Sequence, residues 1–115
     1  MTDAATQIRD LIAGALAGMV NLPGTFQDVA GCGAEWDPAC PSTAMEQGDD
    51  GLYTLTVELP AGDYEYKVAL DGAWTVNYGS DGAQDGPNYT LNVPADGNVT
   101  FTYSPETHLV EAVVE

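Results

Sequence analysis

Two hydrophobic periods divide the chain. Over residues 3–20, Ile8, Leu11, Ile12, Ala15, Leu16 and Met19 recur at intervals of three and four, which places them on one face of an α-helix. Thr2 or Asp3 suits the start of that helix, and Asn21-Leu22-Pro23-Gly24 ends it. From residue 50 the period becomes two. Tyr53, Leu55, Val57 and Leu59 alternate with Thr54, Thr56 and Glu58. After a turn at Pro60–Asp63, Tyr64, Tyr66, Val68 and Leu70 alternate with Glu65, Lys67 and Ala69. Asp71-Gly72 is a strong hairpin signal, and Trp74, Val76 and Tyr78 continue the alternation beyond it. A glycine-rich loop spans residues 79–87. Runs through Tyr89, Leu91 and Val93, through Val99, Phe101 and Tyr103, and over residues 108–114 complete the set. Short strands spaced in this way predict an antiparallel β-sandwich or barrel over residues 22–115, preceded by a helix or linker over residues 1–21. That helix packs locally, links domains or joins copies of the chain through residues 3–20.

Charge narrows the partners. Against 18 acidic residues the chain has two basic ones, Arg9 and Lys67, for a formal net charge of −16 over 115 residues. Nucleic acid needs Lys and Arg on its phosphates, and anionic lipid needs a basic patch, so neither is an expected partner. An acidic surface that favours solubility is the plainer reading. No stretch reaches 18 apolar residues, so no membrane span is predicted. Residues 1–20 lack the basic start of a secretion signal, so a secreted form would take its signal from elsewhere.

Cys32 and Cys40 are the two cysteines, and His108 is the one histidine. That is too few ligands for a structural zinc site. A disulfide across the short loop is the favoured pairing and implies an oxidising, extracellular setting; two reduced thiols are the alternative. Neither a G-x-S-x-G nor an H-E-x-x-H motif is present, and His108 has no evident Ser or Cys partner. No catalytic residue, cofactor or metal is assigned. Asp71, Asp81 and Asp85 give the 71–88 loop a composition that calcium favours, but their spacing fits no EF-hand. Asn88-Tyr89-Thr90 and Asn98-Val99-Thr100 are glycosylation sequons.

The aromatic residues carry more information. Sugar rings present C–H faces that stack on aromatic rings, and hydroxyls that need amide or charged partners. Trp74, Asn77 and Tyr78 lie close in sequence, with Lys67 on the neighbouring strand. The alternation of Trp74 and Tyr78 with Thr75 and Asn77 fits a core face well, so two readings stand: an inner face, which periodicity favours, or a glucan-binding surface.

Several segments together carry a family likeness: Pro23-Gly24-Thr25-Phe26-Gln27, Gly31-Cys32 with Trp36-Asp37-Pro38-Ala39-Cys40, Leu59-Pro60-Ala61-Gly62-Asp63-Tyr64-Glu65-Tyr66-Lys67, Trp74, Asn77-Tyr78-Gly79, Val99-Thr100-Phe101-Thr102-Tyr103 and Thr107-His108. Over about residues 22–114 the chain resembles the X-type accessory module of bacterial pullulanases and amylopullulanases. The resemblance implies an immunoglobulin-like antiparallel β-sandwich beside a glycoside hydrolase domain, and a secreted protein. The chain is similar, more distantly, to glucoamylase-type starch-binding domains. That likeness implies a glucan site at Lys67, Trp74 and Asn88, with Asn77 and Tyr78 as candidates by proximity and Trp36 as a weaker one. The expected function is non-catalytic binding of starch or another α-glucan polysaccharide. The alternative is a structural or assembly module that uses its N-terminal helix for contact.

Overall fold

A computed structural model describes residues 16–115. The expected helix over residues 3–20, and self-association through it, lie almost wholly outside that range. Its described end is one turn, closed by the Met19 N–H donating to the Leu16 carbonyl at 3.1 Å. Val20 and Asn21 then run as a strand, not as helix. The cause is pairing: they lie opposite Leu70 and Ala69 and are buried on both faces. Two residues are too few to display the alternation that marks a half-exposed strand.

Nine strands are described: β1 (Val20–Asn21), β2 (Glu46–Gln47), β3 (Tyr53–Leu59), β4 (Gly62–Tyr66), β5 (Val68–Leu70), β6 (Asn77–Tyr78), β7 (Tyr89–Val93), β8 (Gly97–Tyr103) and β9 (Val110–Val114). The first layer has the order β2-β3-β8-β9, all antiparallel. Its alternation is the one the sequence displays. Leu55 lies opposite Phe101 and Val57 opposite Val99, facing inward, while the Thr56 and Thr100 hydroxyls meet at 3.0 Å on the outer face. The last strand begins at Val110, not at residue 108, because a turn intervenes: Ser104 N–H donates to Leu109 O at 3.1 Å and His108 N–H to Ser104 O at 2.8 Å.

The second layer is built on β4 and β5, one extended run broken at Lys67. Along one side runs the segment 20–24, in a single register: Val20 opposite Leu70, Asn21 opposite Ala69, and Gly24 opposite Tyr66. A Cβ on Gly24 would lie 2.4 Å from the Glu65 carbonyl oxygen, so this close approach needs glycine. Along the other side lie β6 against β5 and β7 against β4. The two layers make an immunoglobulin-like all-β sandwich. Between them Phe26 stacks on Phe101 with ring centroids 5.3 Å apart, and Tyr66 meets Phe101 edge-on at 5.1 Å and stacks on Tyr89 at 5.1 Å. Leu22, Leu59, Val68, Val93 and Val99 fill the remainder of the core.

Burial shifts the core tyrosines. The Tyr103 hydroxyl is pushed up to about 12, first by desolvation and then by the nearby Tyr78, Tyr53 and Tyr89; Tyr66 is raised further, by burial and by Tyr89. An unfolded tyrosine ionises near 10, so the native state resists a deprotonation that the unfolded state accepts. The resulting stability is complete below about pH 10 and is lost as pH rises through about 12. Urea midpoints measured across that window are expected to fall steadily. A flat profile would contradict the burial of these hydroxyls.

Candidate functional site

The hairpin turn expected at Asp71-Gly72 is present: both residues have positive φ, 60° and 70°, as a type I′ turn requires, and Ala73 N–H closes it onto Leu70 O at 3.3 Å. Strand pairing does not resume at once. Leu70 N–H donates to Val76 O at 3.0 Å, so Ala73, Trp74 and Thr75 form an extra loop between the turn and β6. Trp74 is therefore not on an inward-facing strand position. It stands at the surface, 39 % exposed.

Its neighbour is Trp36. The two indole centroids lie 6.4 Å apart with planes inclined at 41°. Trp36 is half-buried and comes from the loop closed by the Cys32–Cys40 disulfide. Two segments 38 positions apart thus place the chain's two tryptophans side by side (74 − 36 = 38). Trp36 adopts φ 58°, the left-handed region, which for a bulky side chain costs about 1–3 kcal/mol and persists only where surrounding structure enforces it.

The enforcing groups are buried and polar. Gln27 is fully buried. Its Oε1 accepts from the Asp37 N–H at 2.8 Å and the Gly24 N–H at 3.2 Å, and its Nε2 donates to the Asp37 carbonyl at 2.7 Å and to Thr43 Oγ1 at 3.0 Å. Thr43 Oγ1 in turn donates to Asn21 Oδ1 at 2.6 Å, and Asn21 Nδ2 donates to the Cys40 carbonyl at 2.8 Å. Every polar atom of Gln27 and Thr43 is used, which is what makes such a network stabilising in a dry interior. The Trp36 N–H itself donates to Gly24 O at 3.4 Å.

The other residues singled out from sequence take varied places. Lys67 is half-buried at the break between β4 and β5, its N–H donating to Pro23 O at 3.0 Å. The Trp36 loop is anchored to the same backbone stretch through Gly24. Asn77 is buried; its Nδ2 donates to the Trp74 carbonyl at 2.9 Å and to Asp85 Oδ1 at 3.0 Å, and its buried Oδ1 meets no partner among the described residues. That amide braces the Trp74 loop from beneath. Tyr78 is half-buried and stacks on His108, centroids 3.8 Å apart and planes within 3°; His108 Nδ1 shares a hydrogen bond of 2.8 Å with the Tyr103 hydroxyl. Asn88 is half-buried in the loop before β7. Among the described residues no three His, Cys, Asp or Glu side chains gather as a metal site. Sequence alone hid both the tryptophan pairing, which is non-local, and the role of Gln27, whose polarity suggests a surface position.

The chain is thus a small two-layer antiparallel sandwich with an aromatic pair reaching its surface. The comparisons name the family. Residues 19–110 match the family model of the pullulanase X25 domain, and the chain belongs to that family. It is 43 % identical over 88 residues to an amylopullulanase of Thermoanaerobacterium saccharolyticum, covering 76 % of this chain and 7 % of that protein. It is 41 % identical over 88 residues to an amylopullulanase of Thermoanaerobacterium thermosulfurigenes, covering 76 % of this chain and 5 % of that protein. Pullulanase from Bacillus acidopullulyticus superposes with a TM-score of 0.73 at 36 % identity, over 83 % of this chain and 11 % of that one. The chain thus spans a small fraction of the relatives it matches.

The disulfide closes the loop that carries Trp36. Closure of so short a loop contributes about 2.5 kcal/mol. Urea denaturation with and without a reductant is expected to differ by that amount, and coincident curves would contradict a stabilising bridge.

Proposed function

We propose that this chain is a non-catalytic α-glucan-binding module, and that Trp36 and Trp74 form its stacking platform. One observation carries the reading: two indoles, each in a backbone arrangement held by dedicated hydrogen bonds, meet at the surface and do not enter the core. An aromatic pair that reaches the surface, with one ring exposed, suits a binding surface. Its relatives are named as amylopullulanases and an alpha-amylase, enzymes of α-glucans, and the chain's similarity to small parts of them fits a module attached to a secreted glycoside hydrolase.

Charge selects the ligand class. Glu35 and Asp37 flank Trp36, and the chain carries a net charge of −16. Within a Debye length of about 8–10 Å such a surface repels anionic polysaccharides, whereas a neutral glucan carries no charge to be repelled. Lys67 and Asn88 supply hydroxyl partners in this scheme, and Asn77 supports the Trp74 loop. One such site gives an affinity between about 1 mM and tens of μM. Its use is to raise the local concentration of an attached enzyme on its polymer.

Affinity electrophoresis tests this. Migration of the protein is expected to be retarded in gels containing amylopectin and unaffected in gels containing alginate. Trp74→Ala and Trp36→Ala should each abolish the retardation. Unchanged retardation in both variants would remove the platform, and no retardation of the parent protein would remove the function.

A further inference from the structure

We infer that Gln27 is the positioning residue of this platform: it holds Trp36 in register with Trp74, and glucan affinity, on the reading above, depends on it although it touches no ligand. Gln27 binds both the N–H and the carbonyl of Asp37, at 2.8 and 2.7 Å, and so fixes the peptide planes on either side of that residue. Asp37 directly follows Trp36. The same Oε1 accepts from Gly24 N–H at 3.2 Å, while Gly24 O accepts from Trp36 N–H at 3.4 Å. One amide therefore ties together Gly24, which is pinned against β4 opposite Tyr66, and the Trp36-Asp37 step.

The left-handed φ of 58° at Trp36 gives the clamp its purpose. A bulky residue relaxes out of that region when nothing holds it, and relaxation would swing the indole away from Trp74. The disulfide does not substitute for the clamp. It joins Cys32 to Cys40, four residues to each side of Trp36 (36 − 32 and 40 − 36), and leaves the rotation at Trp36 unset. Full burial without unpaired atoms makes Gln27 rigid, and a rigid support shell is what keeps a binding geometry fixed.

The test reads geometry and affinity separately. Two indoles this close couple electronically and give a far-ultraviolet exciton couplet in circular dichroism, which Trp74→Phe removes and so identifies. In Gln27→Met, which keeps volume and loses all four bonds, the couplet is expected to collapse while the β-sheet signal persists. Maltoheptaose affinity should fall about tenfold or more. Gln27→Asn keeps a buried amide but is a methylene too short to span from Gly24 to Asp37; it should give the same loss, and it replaces Gln27→Met should that variant not fold. Val110→Ala, a core truncation in β9 opposite Tyr103, supplies the control for stability alone and should keep both couplet and affinity. An intact couplet in folded Gln27→Met or Gln27→Asn, or an equal loss in Val110→Ala, overturns the inference. A parent protein with a Gln27-dependent couplet and no glucan binding would refute the proposed function and leave the clamp standing.

Discussion

The hydrogen bonds of the Gln27 side chain are the constraint on which the surface of this domain depends. Burying an amide without partners costs about 1–3 kcal/mol for each unsatisfied group. Gln27 avoids that cost because Gly24, Asp37 and Thr43 meet it from three separate segments. The dependence runs both ways. The 31–43 loop has little regular structure, so its backbone groups need the same side chain. Thr43 and Asn21 extend the arrangement to Cys40 and to the first strand of the second layer. Sheet, disulfide loop and tryptophan are thereby parts of one bonded unit.

A second brace, whose side chain bonds through its amide nitrogen alone among the described residues, carries Trp74. The turn at Asp71-Gly72 begins a tight hairpin, and the three-residue excursion that follows would be loose without Asn77. Its amide meets the Trp74 carbonyl and Asp85, and the Asp85 N–H donates to Asn77 O at 3.0 Å. The proposed platform is thus a pair of braced loops on a two-layer sandwich, an arrangement that fixes loop geometry without sacrificing the core.

Sequence patterning reveals the long strands and misses the short or irregular ones, for physical reasons. The alternation over 53–59 and 97–103 is legible because one face of each strand packs on Phe26, Tyr66 and their neighbours while the other meets water. Val20 reads as the end of a helix and Asn21 as part of its stop, because two residues buried on both sides carry no strand period. Trp74 reads as the next alternating position because a bulge of three residues shifts phase without changing composition. Tyr78 reads as a candidate platform, and the fold turns one of its faces onto His108. The family likeness drew attention to Trp74, yet its partnership with Trp36 and the clamp by Gln27 exist only once the chain is folded.

The central claim is that the two tryptophans form one ligand-facing surface, and intrinsic fluorescence tests it most directly, because the chain contains no other tryptophan. Titration with maltoheptaose is predicted to give a saturable change in emission, with Trp74→Phe and Trp36→Phe each losing the response. A flat titration of the parent protein, with emission typical of buried indole, would contradict the account.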